Sequence, residues 1–161
     1  MGKKKYVVFQ LTNQRFALPL TVVEQVVQVV EICPWPKMPD YIHGIINLHG
    51  EIIPVINIHF LFGLPAKEIE LSDQLIIAAT SSRKLAILVN SSHEVLELED
   101  DKVVNSDKIM FEMIYIQGVM KLENGMVLIN NIEEFLCPEN LRKLEESLKK
   151  FNKSEGNNKT I

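Results

Sequence analysis

Six side chains could serve as metal ligands or acid–base groups: His43, His49, His59, His93, Cys33 and Cys137. Structural zinc sites place such donors a few residues apart, so that one turn can bring two onto a single ion. No pair here has that close spacing. A hairpin could still bring His43, His49 or His59 together, so convergence stays open beside the plainer reading of turn histidines. Nucleophilic catalysis has less to build on. Ser81-Ser82 and Ser91-Ser92 fall in expected turns with no evident base, and there is no G-x-S-x-G elbow. Phosphate-cradling glycine loops are absent. The carboxylate run Glu97-Leu98-Glu99-Asp100-Asp101 sits where a strand runs into a loop. It reads as a solvated face or as part of a protein-recognition surface. No catalytic residue, metal or cofactor is expected.

The elements that would position these groups are those of an ordinary globular chain. It has 161 residues, 47% hydrophobic and 24% charged, so one domain or two very small ones can be built. Aromatics are 7%, which assigns the core mainly to Val, Ile, Leu and Met. The formal net charge of −4 disfavours nucleic acid as a partner, since such binders carry a basic excess. The one basic run is Lys3-Lys4-Lys5. No apolar segment approaches the ~18–20 residues of a membrane span. Neither a signal peptide nor a myristoylation pattern is read at the N-terminus, where Tyr6 stands in place of Ser or Thr. A cytoplasmic location is expected, with Cys33 and Cys137 as reduced core or loop thiols.

The sequence repeats itself. YVVFQLTNQRFAL (6–18) aligns with LIIAATSSRKLAI (75–87) at an offset of 69. EQVVQV (24–29) lies over HEVLEL (93–98), both alternating like strands. GIINLHGEIIPVINIHFLF (44–62) then lies over GVMKLENGMVLINNIEEFL (118–136) at an offset of 74. The reading is two copies of one unit, 6–62 and 75–136, with about five strands each. Gly50 and Asn124-Gly125 mark the second hairpin of each copy. Five short strands remove their edges best by curling into a small barrel. Such a barrel is marginal alone, but two packed together, sharing strands or terminal segments, would be stable.

Side chains alternate along strands, so Ile45, Ile46, Leu48, Ile52, Ile53, Val55, Ile56 and Ile58 cannot all face one side. Half should fill a barrel. The other half should be covered by the second barrel or by a partner. Pro54 cannot donate to a ladder and is expected to break its strand at an exposed edge or bulge. Asn131 with Glu134 reads as a capping box for a short helix. Leu141, Leu144, Leu148 and Phe151 form the stripe of a C-terminal helix docked on the barrels, and 152–161 has the composition of a disordered tail. The whole is read as a single domain over 1–151.

YVVFQLTNQRFALPLTVVEQVV, PWPKMPDYIHGIINLHGEIIPVINI and LAILVNSSHEVLEL together resemble the CheW family of chemotaxis coupling proteins, in order from about residue 6 to 136. The most specific block is Pro39-x-Tyr41-Ile42-x-Gly44, then Gly44-Ile45-Ile46-Asn47-Leu48-x-Gly50 and Ile53-Pro54-Val55. The resemblance implies an all-β fold of two intertwined five-stranded SH3-like barrels. It also implies a scaffold without catalysis, linking the cytoplasmic tips of chemoreceptors to the regulatory domain of the CheA histidine kinase. A receptor-binding face of Val23, Gly44, Asn47, His49, Gly50 and Asn57 follows from it. Kinase contacts are not assigned. The chain departs from the pattern at four positions, where Arg, Asp, Arg and Asp are usual: His49, Asn57, His59 and Asn90. The departures suggest compensation and leave His49 as a weaker, pH-sensitive donor toward the receptor. They also admit a paralogous adaptor of another two-component array. A coupling protein fused to a receiver domain is disfavoured, because no receiver pocket is present. A metal- or small-molecule-binding protein would need the histidines to converge.

Overall fold

The computed structural model describes residues 2–11, 13–34, 36–90, 93–99, 102–105, 115–123, 125–136, 146 and 148–149. The expectations for Ser91, Ser92, Asp100, Asp101, Asn124, Cys137, Leu141, Leu144, Phe151 and the 152–161 tail lie outside them, as does the His93 side chain.

Eleven strands are described, in two antiparallel-rich sheets. Strands β1 (Lys3–Leu11) and β2 (Gln14–Pro19) form the first hairpin. After a 3-10 turn at Leu20–Val22 come β3 (Val23–Gln28), β4 (Ile42–Leu48) and β5 (Glu51–Ile56). A one-turn helix, α1 (Ile58–Leu61), ends the first repeat. The second repeat supplies β6 (Gln74–Ala79), β7 (Lys84–Val89), β8 (His93–Glu99), the short β9 (Val103–Asn105), β10 (Ile116–Leu122) and β11 (Gly125–Asn130). A 3-10 helix at Ile132–Leu136 follows, so the turn expected after Asn131 exists, in its tighter form.

Each sheet mixes the two repeats. One runs β8-β1-β2-β11-β10-β9, the other β3-β6-β7-β5-β4. The first hairpin of each repeat is thus built into the sheet of the other. The two arrangements match strand for strand. In each, a parallel pair joins the repeats, Val55 against Ala86 in one and Ile129 against Ala17 in the other. Both barrels close in the same way. The run after β3 sends the Val29 N–H to the Asp73 carbonyl, and Cys33 exchanges both backbone hydrogen bonds with Ile45 of β4. The run after β8 becomes β9, which pairs with β10.

Alternation then sorts the core into three layers. Ile46, Ile53, Val55, Leu75, Ile77, Ala86 and Leu88 fill the first barrel. Tyr6, Val8, Ala17, Met120, Val127 and Ile129 fill the second. The opposite faces of the same strands, including Val7, Phe9, Leu18, Ile45, Ile56, Ile76 and Ile87, meet between the barrels. The second barrel therefore covers the apolar faces for which a partner was the alternative. Several aromatics gather in that middle layer, where the Phe62 ring lies tilted 5.0 Å from Phe16 and edge-on 6.4 Å from Phe135. Leu148, the one residue of the C-terminal stripe within the described residues, is helical and buried in the same layer.

Pro54 corrects an expectation. Its strand is unbroken from Glu51 to Ile56 and lies inside the sheet, between β4 and β7. Ile45, its partner on β4, gives both its backbone hydrogen bonds to Cys33 on the far side. The Pro54–Ile45 pair is therefore a non-hydrogen-bonded one, where no N–H is needed toward β4. Pairing with β7 begins only at Val55. The missing donor falls at a position of this inner strand where neither neighbour asks for it.

Candidate functional site

The hairpin β4–β5 turns on two residues, His49 and Gly50, between the paired Leu48 and Glu51. Both have positive φ, 53° and 87°, the pattern of a type I′ turn whose twist suits a hairpin. Glycine adopts this freely; histidine is one of the few other residues that visit it. The Asn47 side-chain oxygen accepts the Gly50 N–H at 2.9 Å and pins the turn from one side. Asn47, His49 and Gly50 are all exposed.

Val23 belongs at the same end of the barrel. Lys84 Nζ lies 3.2 Å from Glu24 and 3.1 Å from Glu51, tying the start of β3 to the start of β5. Those hydrogen bonds raise the Lys84 pKa. The other two residues of the expected face lie apart. Gly44 is buried, and a Cβ there would run into the Cys33 carbonyl. Its role is to let the closing run approach β4. Asn57 is at the far end of β5, about 20 Å of strand from Glu51 at ~3.3 Å per residue. Its side chain caps α1 by accepting the Phe60 N–H. The six residues thus divide into a turn end, with half-buried Val23 beside exposed Asn47, His49 and Gly50, and two framework positions, Gly44 and Asn57. Close to Val23, where the chain crosses from one sheet to the other, a cavity of about 650 Å³ is lined by Tyr6, Pro19, Leu20, Thr21 and Gln117 together with Lys3–Lys5.

The histidines do not converge on a metal site: no group of three or more His, Cys, Asp or Glu able to hold one occurs among the described residues. Only His49 is a turn residue. His43 stands within β4, and His59 is the second residue of α1 and is buried. Burial and the proximity of His59 lower the His43 pKa. Burial and then Lys67 lower that of His59, against the opposing pull of Asp73. The carboxylates at the end of β8 face lysines across the ladder, Glu97 against Lys5 and Glu99 against Lys3.

Comparison with known proteins decides what this architecture is. The CheW-like domain profile matches residues 5–137, which takes in both barrels. The chain belongs to the CheW-like domain family. It is similar to the chemotaxis protein CheW of Treponema pallidum, at 28% identity over 86% of this chain and 85% of the relative. The chemotaxis protein CheW of Rhizobium meliloti is 25% identical over 82% of this chain and 86% of its own length. Among solved structures, the scaffolding protein TtCheW of Thermoanaerobacter tengcongensis superposes with a TM-score of 0.78 at 28% identity, covering 87% of this chain and 92% of that one.

Two of the four departing positions lie beside one charged pair: Asn90 accepts from Lys67, and Lys67 and Asp73 both act on His59. Lys67 Nζ lies 3.1 Å from Asp73 Oδ1 and 2.9 Å from Asn90 Oδ1. Sequence reading had missed Lys67, Asp73, Lys84, Glu24 and Glu51. Each is an ordinary charge in the sequence, and only the barrel closure brings the partners together.

Proposed function

We propose that this protein is a non-enzymatic adaptor, one that couples the cytoplasmic tips of chemoreceptors to the regulatory domain of the CheA histidine kinase. The match to the CheW-like domain across both barrels carries the reading. The duplicated two-barrel module and the family's scaffolding relative support binding as its work. None of the described helices is long and apolar enough to cross a membrane. The family match supports a cytoplasmic place at receptor arrays on the inner face of the membrane. The receptor side is the turn end, Val23, Asn47, His49 and Gly50, beside the cavity at the crossover.

Calorimetry with the kinase and with a receptor cytoplasmic fragment, singly and together, tests the reading. Binding to both at separate sites supports it, and binding to neither sinks it. His49→Asn keeps a residue that tolerates positive φ and removes the imidazole. It should weaken receptor binding several-fold and leave kinase binding unchanged. Unaltered receptor affinity would remove His49 from the contact.

A further inference from the structure

Alternation brings Lys84 and Glu51 to one mouth of the first barrel. Lys84 shares its face of β7 with Ala86 and Leu88, and Glu51 shares its face of β5 with Ile53 and Val55. Those four partners are core residues of that barrel. Glu24 would point the other way, by alternation from Val27, which packs on the same core. The register against β6 shifts between Val23 and Gln25, however, and a bulge of this kind re-aims the side chain it carries. Glu24 thereby comes within 3.2 Å of Lys84 Nζ, and Glu51 within 3.1 Å of the same nitrogen.

This bridge spans what the ladder does not. In the order β3-β6-β7-β5-β4, two strands separate β3 from β5. Lys84 comes from the second repeat and joins them at the end where Val23 precedes Glu24 and the His49–Gly50 turn precedes Glu51. The second barrel is built differently. Arg15 stands in the place of Lys84 and meets Glu94 at 3.4 Å, while Gly125 stands in the place of Glu51. The clasp of one lysine on two carboxylates therefore belongs to the barrel that carries the proposed receptor face. The Lys84, Glu24 and Glu51 side chains are 36%, 39% and 52% exposed. Ion pairs this wet add little to global stability, yet they suffice to choose among nearby placements of a short turn.

We propose that Lys84 is a positioning residue for receptor binding, one that holds Val23 and the His49–Gly50 turn at the separation at which a receptor tip meets both. The inference rests on the adaptor reading for its ligand and on the bridge for its geometry. With the bridge broken, the turn samples other placements. Receptor affinity then falls in proportion to the molecules left in the competent one.

Calorimetry with a receptor cytoplasmic fragment tests it on the full chain. Lys84→Met keeps the apolar stem and removes the ammonium. It should weaken receptor binding by roughly threefold to tenfold, the range that two exposed ion pairs can supply. Kinase binding and the thermal midpoint should stay nearly unchanged. Combining Lys84→Met with Glu24→Gln and Glu51→Gln removes the three charges together and should bind as weakly as Lys84→Met. In NMR of the free protein, Glu24→Gln should move the amide signals of His49 and Gly50, and should leave them still when Lys84 is already replaced by Met. Wild-type affinity in Lys84→Met, affinity restored in the triple variant, stationary turn signals or a collapsed fold in Lys84→Met would each overturn the proposal. A wild-type protein that does not bind the fragment sinks the adaptor reading and this role together. Binding that is indifferent to Lys84→Met sinks this role alone.

Discussion

Two residues sit where their chemistry is at odds with their surroundings. His49 has φ of 53°, a region that costs a side chain about 1–2 kcal/mol. His49→Val, a β-branched residue in that region, should lower stability by about that amount in urea denaturation. His49→Gly should change it little, because relief of strain and the extra freedom of the unfolded chain oppose each other at roughly similar size. Asn130 is the second case. It is 0% exposed, and neither side-chain atom has a partner among the described residues. Its counterpart in the first repeat is Ile56. An unsatisfied buried amide costs about 1–3 kcal/mol, so Asn130→Val should raise the urea midpoint by about 1 kcal/mol or more in stability. A drop would mean that the buried amide contributes to stability at this position. The turn at Gly50 was legible because each repeat carries its own turn signals, whereas the buried role of Gly44 depends on the run after β3. The burial of His59 was not. Nothing in IHFL distinguishes a wet helical turn from a buried one.

At the scale of elements, the sequence displays strands and hairpins but not their neighbours. Every strand expected from the aligned repeats is present, since alternation and turn residues are local signals. The exchange of first hairpins between sheets is invisible in those signals. β1 and β6 have the same pattern, and either would satisfy either sheet by hydrophobicity alone. Pro54 was misjudged for the same reason, because its tolerance comes from the Cys33–Ile45 pairing and from β7 beginning at Val55. One contact between the barrels offers a direct test. Ser81, in the β6–β7 turn, gives both its N–H and its hydroxyl to the Glu133 carboxylate of the C-terminal 3-10 helix, at 2.7 and 2.8 Å. Both hydrogen bonds are exposed, so the coupling should be modest. A double-mutant cycle of Ser81→Ala and Glu133→Gln should give about 0.5–1.5 kcal/mol, and a value near zero would make the clasp incidental.

For the whole molecule, the repeat boundary and the barrel boundary do not coincide. A cut in the run that joins the repeats, after Ala66, yields pieces that each contain strands of both barrels. Residues 1–66 alone should lack strand signal in circular dichroism, and mixing with 67–161 should restore it in a one-to-one complex. A folded 1–66 piece would contradict the exchanged architecture. The barrels themselves are joined by chain at two places, from β2 into β3 and from β7 into β8. At the second of these, the Asn90 N–H also bonds to the Gln10 carbonyl of β1, at 3.4 Å. A domain on one tether can swivel. Two tethers and a shared apolar layer leave no free axis of rotation. Whatever docks on one barrel therefore fixes the bearing of whatever docks on the other, so that the molecule acts as a set square between its two neighbours.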